Sequence, residues 1–320
     1  MDPFSCRICG NGKNNEEYRL NEMMFGLRDE FKYIKCSECG CLQIGEIPHN
    51  IEKYYPSNYY SFSTKDNYPK KYFNKIRDQY SRGQKSFLGK LLIKKYGHSP
   101  LYTLLKEIEL NSSDKILDVG CGKGQLLKKL AGWGLKNLVG IDPYITTDRI
   151  NSSNVRIMKQ NLNDLNEGQF DLIMLHHSFE HMDKPYETLV RINQLLKKNK
   201  YLLIRIPVID TAAWKEFNTN WVQLDAPRHY YLYSVNSINY LAERTGFKVH
   251  KTIFDSTSFQ FWGSKQYEYG IPLYSENSFM VNPAKSIFNT STILEYEKRA
   301  KELNETGQGD QAAFYLVKIA

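Results

Sequence analysis

Leu117-Asp118-Val119-Gly120-Cys121-Gly122-Lys123-Gly124 closes a short apolar run, Lys115–Val119, and opens an amphipathic stretch, Gln125–Trp133. A strand that runs through glycines into a helix places backbone at a helix N-terminus, where unpaired N–H groups and the helix dipole favour negative charge. A carboxylate-bearing ligand would suit that place. Outward from this turn the pattern alternates. Strands are predicted over 138–141, 155–158, 170–175, 201–206, 247–254 and 312–319. A helix runs from Asp183 and Pro185 to about Leu196, with Tyr186, Leu189, Val190 and Asn193 facing inward, and Ser234 caps another that Gly246 ends. This alternation implies an α/β fold with a mostly parallel, doubly wound sheet.

Before the first strand, helices are predicted over about 84–96 and 100–110. Ser99 caps the second, Pro100 is its N1 residue, and Leu101, Leu104, Leu105 and Ile108 form one apolar stripe. Residues 256–311 are too many for a bare connection and read as an insertion, a cap over the substrate.

A glycine-rich turn alone does not separate dinucleotide sites from others. Here the third glycine comes one residue early, position 125 is glutamine, and Asp118 stands two positions before Gly120. In that D-x-G-x-G-x-G pattern the chain resembles class I S-adenosylmethionine (SAM)-dependent methyltransferases. The resemblance implies a Rossmann-like sheet and a SAM site in which Asp118, Gly120, Cys121, Gly122 and Gly124 hold the methionine part. Asp142, in Gly140-Ile141-Asp142-Pro143, ends the second strand where ribose hydroxyls can donate to it, with Pro143 beside it; the alternative role is a turn cap. Asn161 after the third strand is preferred to Asp164 for adenine, and His176 is placed at the cofactor.

The fourth strand leads into His176-His177-Ser178-Phe179-Glu180-His181-Met182, at the carboxyl edge where open α/β sheets bind ligands. Its histidines and glutamate suit acid–base work or metal ligation, and Glu180 and His181 could equally cap the next helix. The resemblance places them in the methyl-transfer pocket. Farther on, Trp221, Asp225, Pro227-Arg228-His229 and Tyr230 resemble a signature of bacterial methyltransferases encoded with surface-polysaccharide enzymes, and Asp255–Ser264 extends the likeness. A histidine with an ordinary pKa of about 6.5 suits removal of a hydroxyl proton. His229 is the first choice of base, and His181 or His177 the second. Arg228 is expected to grip a substrate phosphate, with Trp221, Asp225 and Tyr230 around the acceptor. Zinc-bearing sugar C-methyltransferases are similar in the N-terminal module, but only their histidine is kept in Ala226-Pro227-Arg228-His229, which favours O- over C-methylation.

Five of six cysteines fall in the first 41 residues, as Cys6-Arg-Ile-Cys9-Gly10, Cys36-Ser-Glu-Cys39-Gly40 and Cys41. Each C-x-x-C-G is a tight turn in which backbone N–H groups can point at thiolates, and two such turns make a four-sulfur site of the closed geometry that structural zinc prefers. Cys6, Cys9, Cys36 and Cys39 are the expected ligands, the intervening residues a hairpin, and Cys41 packing. The division is then 1–60 zinc ribbon, 61–110 basic helical linker or lid, 111–255 with 312–320 SAM domain, and 256–311 cap.

The chain of 320 residues is 41% hydrophobic and carries a net charge of +8. Lys65, Lys70, Lys71, Lys75, Arg77, Arg82, Lys85, Lys90, Lys94 and Lys95 against Asp66 and Asp78 account for that excess within one segment. This suits nucleic acid, an acidic membrane surface, a phosphorylated substrate, or simply a solvated face. No secretory leader and no membrane span is legible, so a cytoplasmic enzyme is expected. The leading expectation is O-methylation of a sugar in a nucleotide- or lipid-linked surface-glycan precursor. RNA methylation, sugar C- or N-methylation, and a non-catalytic SAM-binding scaffold are the alternatives.

Overall fold

A computed structural model describes residues 5–56, 68–146, 148–152 and 154–319. Tyr59 and Tyr60 of the tyrosine-rich run Tyr54-Tyr55-Pro56-Ser57-Asn58-Tyr59-Tyr60, and Lys65 and Asp66 of the basic segment, lie outside them. By its contacts the chain divides into two units, Met1–Tyr55 with Leu162–Ala320 and Pro56–Asn161. This cuts the chain differently from the sequence-based division at 60, 110 and 255.

The N-terminal module is the expected hairpin excursion. β1 (Glu16–Asn21) pairs antiparallel with β2 (Glu30–Lys35), and β2 with β3 (Leu42–Ile44). Either side of the hairpin stand the two cysteine turns, each closed by a glycine amide, Gly10 N donating to Cys6 O (2.8 Å) and Gly40 N to Cys36 O (3.1 Å).

In the Pro56–Asn161 unit, α1 (Tyr68–Ser81) packs on α2 (Phe87–Tyr96), and α3 (Pro100–Leu105) follows. Ser99 Oγ caps α3 by accepting from Tyr102 N at 3.2 Å, with Pro100 at N1, and the predicted stripe of Leu101, Leu104, Leu105 and Ile108 is buried. Then come β4 (Lys115–Val119), α4 (Gln125–Gly132), β5 (Asn137–Ile141), β6 (Arg149–Ser152) and β7 (Val155–Met158). β4, β5 and β7 pair in parallel, as strands joined by crossovers must, while β6 adds antiparallel to β7.

In the other unit, β8 (Phe170–His176) leads through a 3-10 turn at Phe179–His181 to α5 (Pro185–Leu195) and β9 (Leu196–Pro207). β8 and β9 are parallel. The core stripe of α5 is Pro185, Leu189, Ile192 and Leu195; Tyr186, predicted inward, is exposed. The helix follows its aliphatic positions and lets the amphipathic tyrosine reach water. After α6 (Ala212–Phe217), β10 (Tyr231–Leu232) leaves the main sheet and joins β3, so the module's sheet reads β1-β2-β3-β10. α7 (Val235–Arg244) starts at a capping box formed by Ser234 and Ser237. β11 (Phe247–Phe254) and β12 (Gln311–Lys318) are antiparallel to each other, and β12 is antiparallel to β9. The 256–311 insertion supplies α8 (Phe259–Glu268) and α9 (Thr290–Glu305), with α8 against α6 and the turn at Val222–Leu224. The architecture is α/β and Rossmann-like, with its parallel strands flanked by antiparallel ones. Among the described residues, no helix is long and apolar enough to cross a membrane.

Candidate active site

Parallel pairing of β4 with β5 sets Val119 opposite Ile141, so the glycine turn and Asp142 emerge at one sheet edge. Gly120 N donates to Ile141 O (2.8 Å), and Gly122 N donates to Asp142 Oδ2 (2.9 Å). Asp142 Oδ1 also accepts from Tyr144 N at 2.8 Å, so the carboxylate is oriented by two backbone amides while keeping lone pairs for other donors. Gly124 caps α4 at φ +70, with no side chain capping the helix, and a Cβ there would lie 2.1 Å from Ile157 Cδ1. The left-handed backbone favours glycine here, and a side chain would also require Ile157 to shift. Asp118, 3% exposed, has its carboxyl pKa raised to about 7 by burial and by the charge of Asp142. A buried carboxylate held up in this way gains from a cationic partner such as the ammonium of an amino acid.

The donor set therefore fits SAM: backbone amides at a helix start for its carboxylate, Asp118 for its ammonium, Asp142 for its ribose. Pro143 follows Asp142, Cys121 is half-buried in the turn, and Asn161 is exposed beyond β7. His176 ends β8 in the other unit, where its Nε2 lies 3.3 Å from Arg205 Nη1.

Within that other unit the structure brings together most of the remaining predicted residues. His181 and His229 have ring centroids 4.8 Å apart. His181 Nδ1 is 2.7 Å from Arg228 O, and His229 Nδ1 is 2.7 Å from Gln223 O. A carbonyl can only accept, so each ring donates through Nδ1, and Nε2 is the nitrogen that remains for other partners. His229 Nε2 lies 3.8 Å from Asp225 Oδ2. Glu180 is fully buried, with His177 Nδ1 at 3.5 Å from its Oε1. His177, at φ +53, is not free to act as a base, because its Nε2 faces the Arg205 guanidinium. Burial first, and Arg205 second, push its pKa well down. The His181 pKa is lowered by burial and by His229.

Two further expectations are corrected. Arg228 does not present itself to a phosphate: it has no exposed surface, and Nε, Nη1 and Nη2 all donate within the protein. Nε and Nη2 donate to Asp225 Oδ1 (2.9 and 2.7 Å), Nη2 to Glu22 Oε1 (2.8 Å) and Nη1 to Tyr54 O (2.9 Å). Trp221, also without exposed surface, donates its indole N–H to Asp310 Oδ2 at 2.9 Å and is core. Burial pushes the Asp225 carboxyl up, but Arg228, His229 and His181 together outweigh it and hold the group below the usual carboxylate range. Tyr230 is buried, and its N–H donates to Glu180 O at 2.9 Å.

Residues missed by the sequence reading hold this loop. Tyr33 OH donates to His229 O (2.8 Å), Ile44 N donates to Tyr230 O (2.9 Å), and Tyr55 OH lies 3.3 Å from His181 Nδ1. The cysteine module is thus a brace for the histidine loop. No local motif marks Glu22 or Tyr33, because their partners are about two hundred residues away.

The four cysteines converge, with Cys6 Sγ 3.6 Å from Cys39 Sγ, Cys9 Sγ 3.5 Å from Cys36 Sγ, and all four sulfurs within 4.8 Å of one another. Tetrahedral zinc with bonds of about 2.3 Å needs sulfurs about 3.8 Å apart, so the set fits zinc. Cys41 is buried beside them as packing.

A family model described as a methyltransferase domain matches residues 92–252, half of the chain. A tRNA U34 carboxymethyltransferase of Helicobacter acinonychis (strain Sheeba) is 29% identical over 147 residues, 42% of this chain and 56% of that protein. The match thus spans little more than half of that relative's length. A putative methyltransferase of Bacillus halodurans C-125 is similar at TM-score 0.46 and 18% identity, over 69% of this chain and 99% of that one. So is a SAM-dependent methyltransferase of Thermotoga maritima, described as a possible histamine N-methyltransferase, at TM-score 0.43 and 14% identity, over 68% of this chain and 87% of that one. The family match covers the glycine turn, Asp142 and the histidine loop together, and the chain belongs to the methyltransferase-domain family as a SAM-dependent enzyme.

Proposed function

We propose that the chain methylates a hydroxyl of a sugar carried on a nucleotide- or lipid-linked precursor of a surface glycan. The observation that carries this reading is the pair His181 and His229, each with Nδ1 on a backbone carbonyl and Nε2 left to accept. SAM supplies an activated methyl and a good leaving group, so the protein must align the acceptor and deal with its proton. A hydroxyl is a poor nucleophile at neutral pH, and a neutral imidazole fixed in one tautomer is suited to take its proton. His229 is the first choice and His181 the second, with Glu180 close to both. Asp118, the turn at Gly120–Gly124 and Asp142 bind the cofactor in this reading, and Cys6, Cys9, Cys36 and Cys39 hold a structural zinc. The likeness of Pro227-Arg228-His229 to the polysaccharide-cluster signature supports the sugar, and exposed Lys75, Arg82, Lys85, Lys90, Lys94 and Lys95 suit a pyrophosphate handle.

A second reading, methylation of RNA, is favoured by the tRNA-modifying relative and by the same basic helices. Labelled SAM offered with nucleotide sugars, polyprenyl-linked sugars or bulk tRNA separates the two. Label in an alkali-stable methyl ether of a sugar, lowered at least about a hundredfold by His229→Gln, is the expected result. Label in tRNA alone, or in a carbon- or nitrogen-bound methyl group, overturns it.

A further inference from the structure

We propose that Glu180, His181 and His229 form a second metal site, for a divalent first-row cation, separate from the four cysteines. One donor atom of each lies within 4.8 Å of the others. Both histidines already have the outer-shell partner that metal-binding imidazoles use, a backbone carbonyl on Nδ1, which leaves Nε2 for an ion. Two imidazoles and one carboxylate are a common set for zinc, iron, cobalt or manganese, and leave positions open for oxygen ligands.

The glutamate makes the case independently. Its side chain is 1% exposed, and neither carboxylate oxygen is hydrogen-bonded among the described residues, His177 Nδ1 standing 3.5 Å from Oε1. A buried carboxylate in that condition needs a proton or a cation. Arg228 is already paired with Glu22 at 2.8 Å and with Asp225 at 2.7 Å, and Arg205 with Asp255 at 2.6 Å. A cation held by Glu180 together with the two imidazoles would supply the partner that these guanidinium groups do not.

What the ion would do rests on the hydroxyl-acceptor reading. Oxygens of the acceptor would enter the open positions, and a coordinated hydroxyl loses its proton to water more readily than a free one. With the ion bound, the histidines serve as ligands in place of the proton-accepting role given to them above, and the acidity comes from the ion.

The test is metal stoichiometry on the full chain with its cysteine site filled by zinc. Titration with Co2+ should show one further equivalent whose spectrum lacks thiolate-to-cobalt charge transfer. Glu180→Gln, which keeps shape, and His229→Gln should each weaken that equivalent by at least about a hundredfold while leaving the zinc and the circular dichroism unchanged. Absence of a second equivalent in the folded wild type overturns the site, as does undiminished binding in both variants. If wild type takes no cobalt yet methylates hydroxyls, the ion is refuted and the histidine base stands. If cobalt binds and no hydroxyl is methylated, the acceptor reading fails and the site stands.

Discussion

Glu22→Ala removes a carboxylate with no exposed surface from a guanidinium with none, across a 2.8 Å contact. Breaking a buried ion pair from one side costs about 3–5 kcal/mol, chiefly because the remaining charge stays buried. Asp225 still meets Arg228 through two hydrogen bonds, which places the expectation near the lower end, about 3 kcal/mol. Glu22 also accepts from Phe25 N (3.0 Å) and Leu27 N (2.9 Å), but those amides are only partly buried and water can replace it. Glu22→Gln keeps an acceptor for them and should lose about half as much, the worth of one charge-assisted hydrogen bond, roughly 1.5 kcal/mol. Urea unfolding followed by far-ultraviolet circular dichroism measures both losses, and calorimetry with SAM serves as a control that Glu22 should not move. A loss under about 1 kcal/mol for the alanine variant would refute the ion pair as the clamp of the histidine loop. So would tighter pyrophosphate binding by that variant, since a guanidinium released from Glu22 would then be acting as an anion receptor after all.

Asp142→Ala should abolish micromolar SAM binding, by loss of the ribose acceptor and of the two hydrogen bonds that tie it to Gly122 N and Tyr144 N; wild-type affinity in calorimetry contradicts this. Because the pKa of Asp118 is raised to about 7, SAM affinity should rise with pH up to about 7 and level off above it, with a proton released on binding below it. A flat profile from pH 5.5 to 8 refutes that contact. In the cofactor-free chain the sign is opposite: a raised carboxyl pKa gives stability that is full below about 4 and lost as pH rises through about 7. Gly124→Ala meets Ile157 at 2.1 Å in a left-handed backbone and should cost more than about 1 kcal/mol along with SAM binding; unchanged melting and affinity exclude the tight crossing. Removing metal from the four cysteines should loosen β3 from β10 and speed proteolysis within 225–233, while SAM binding persists; equal cleavage rates with and without chelator refute the brace.

Much of this molecule is local and was readable as such. Lys115–Val119, Val155–Met158 and Phe247–Phe254 are strands within the predicted bounds, because an apolar run of that length bounded by turn residues has few other uses. Asp118, the glycine turn and Asp142 are legible for a related reason: their spacing along the chain is itself the geometry of a strand, a turn and a helix start. The two C-x-x-C turns converge as spaced, since each is built from neighbouring residues.

Tertiary structure alone decided the rest. The same Pro227-Arg228-His229 run offers an arginine to a phosphate or to the core, and Glu22, 206 residues away, draws it inward. β10 is two residues long and leaves no periodic mark, yet pairing with β3 fixes where His229 sits. Tyr186 and Leu189 are both apolar enough for a helix stripe, and only the packing of α5 sends one outward. Period and turn chemistry are short-range properties that a sequence displays. The choice of partner for a buried charge is made by whatever else the fold delivers to the same dry volume, where an unpaired charge is too costly to leave.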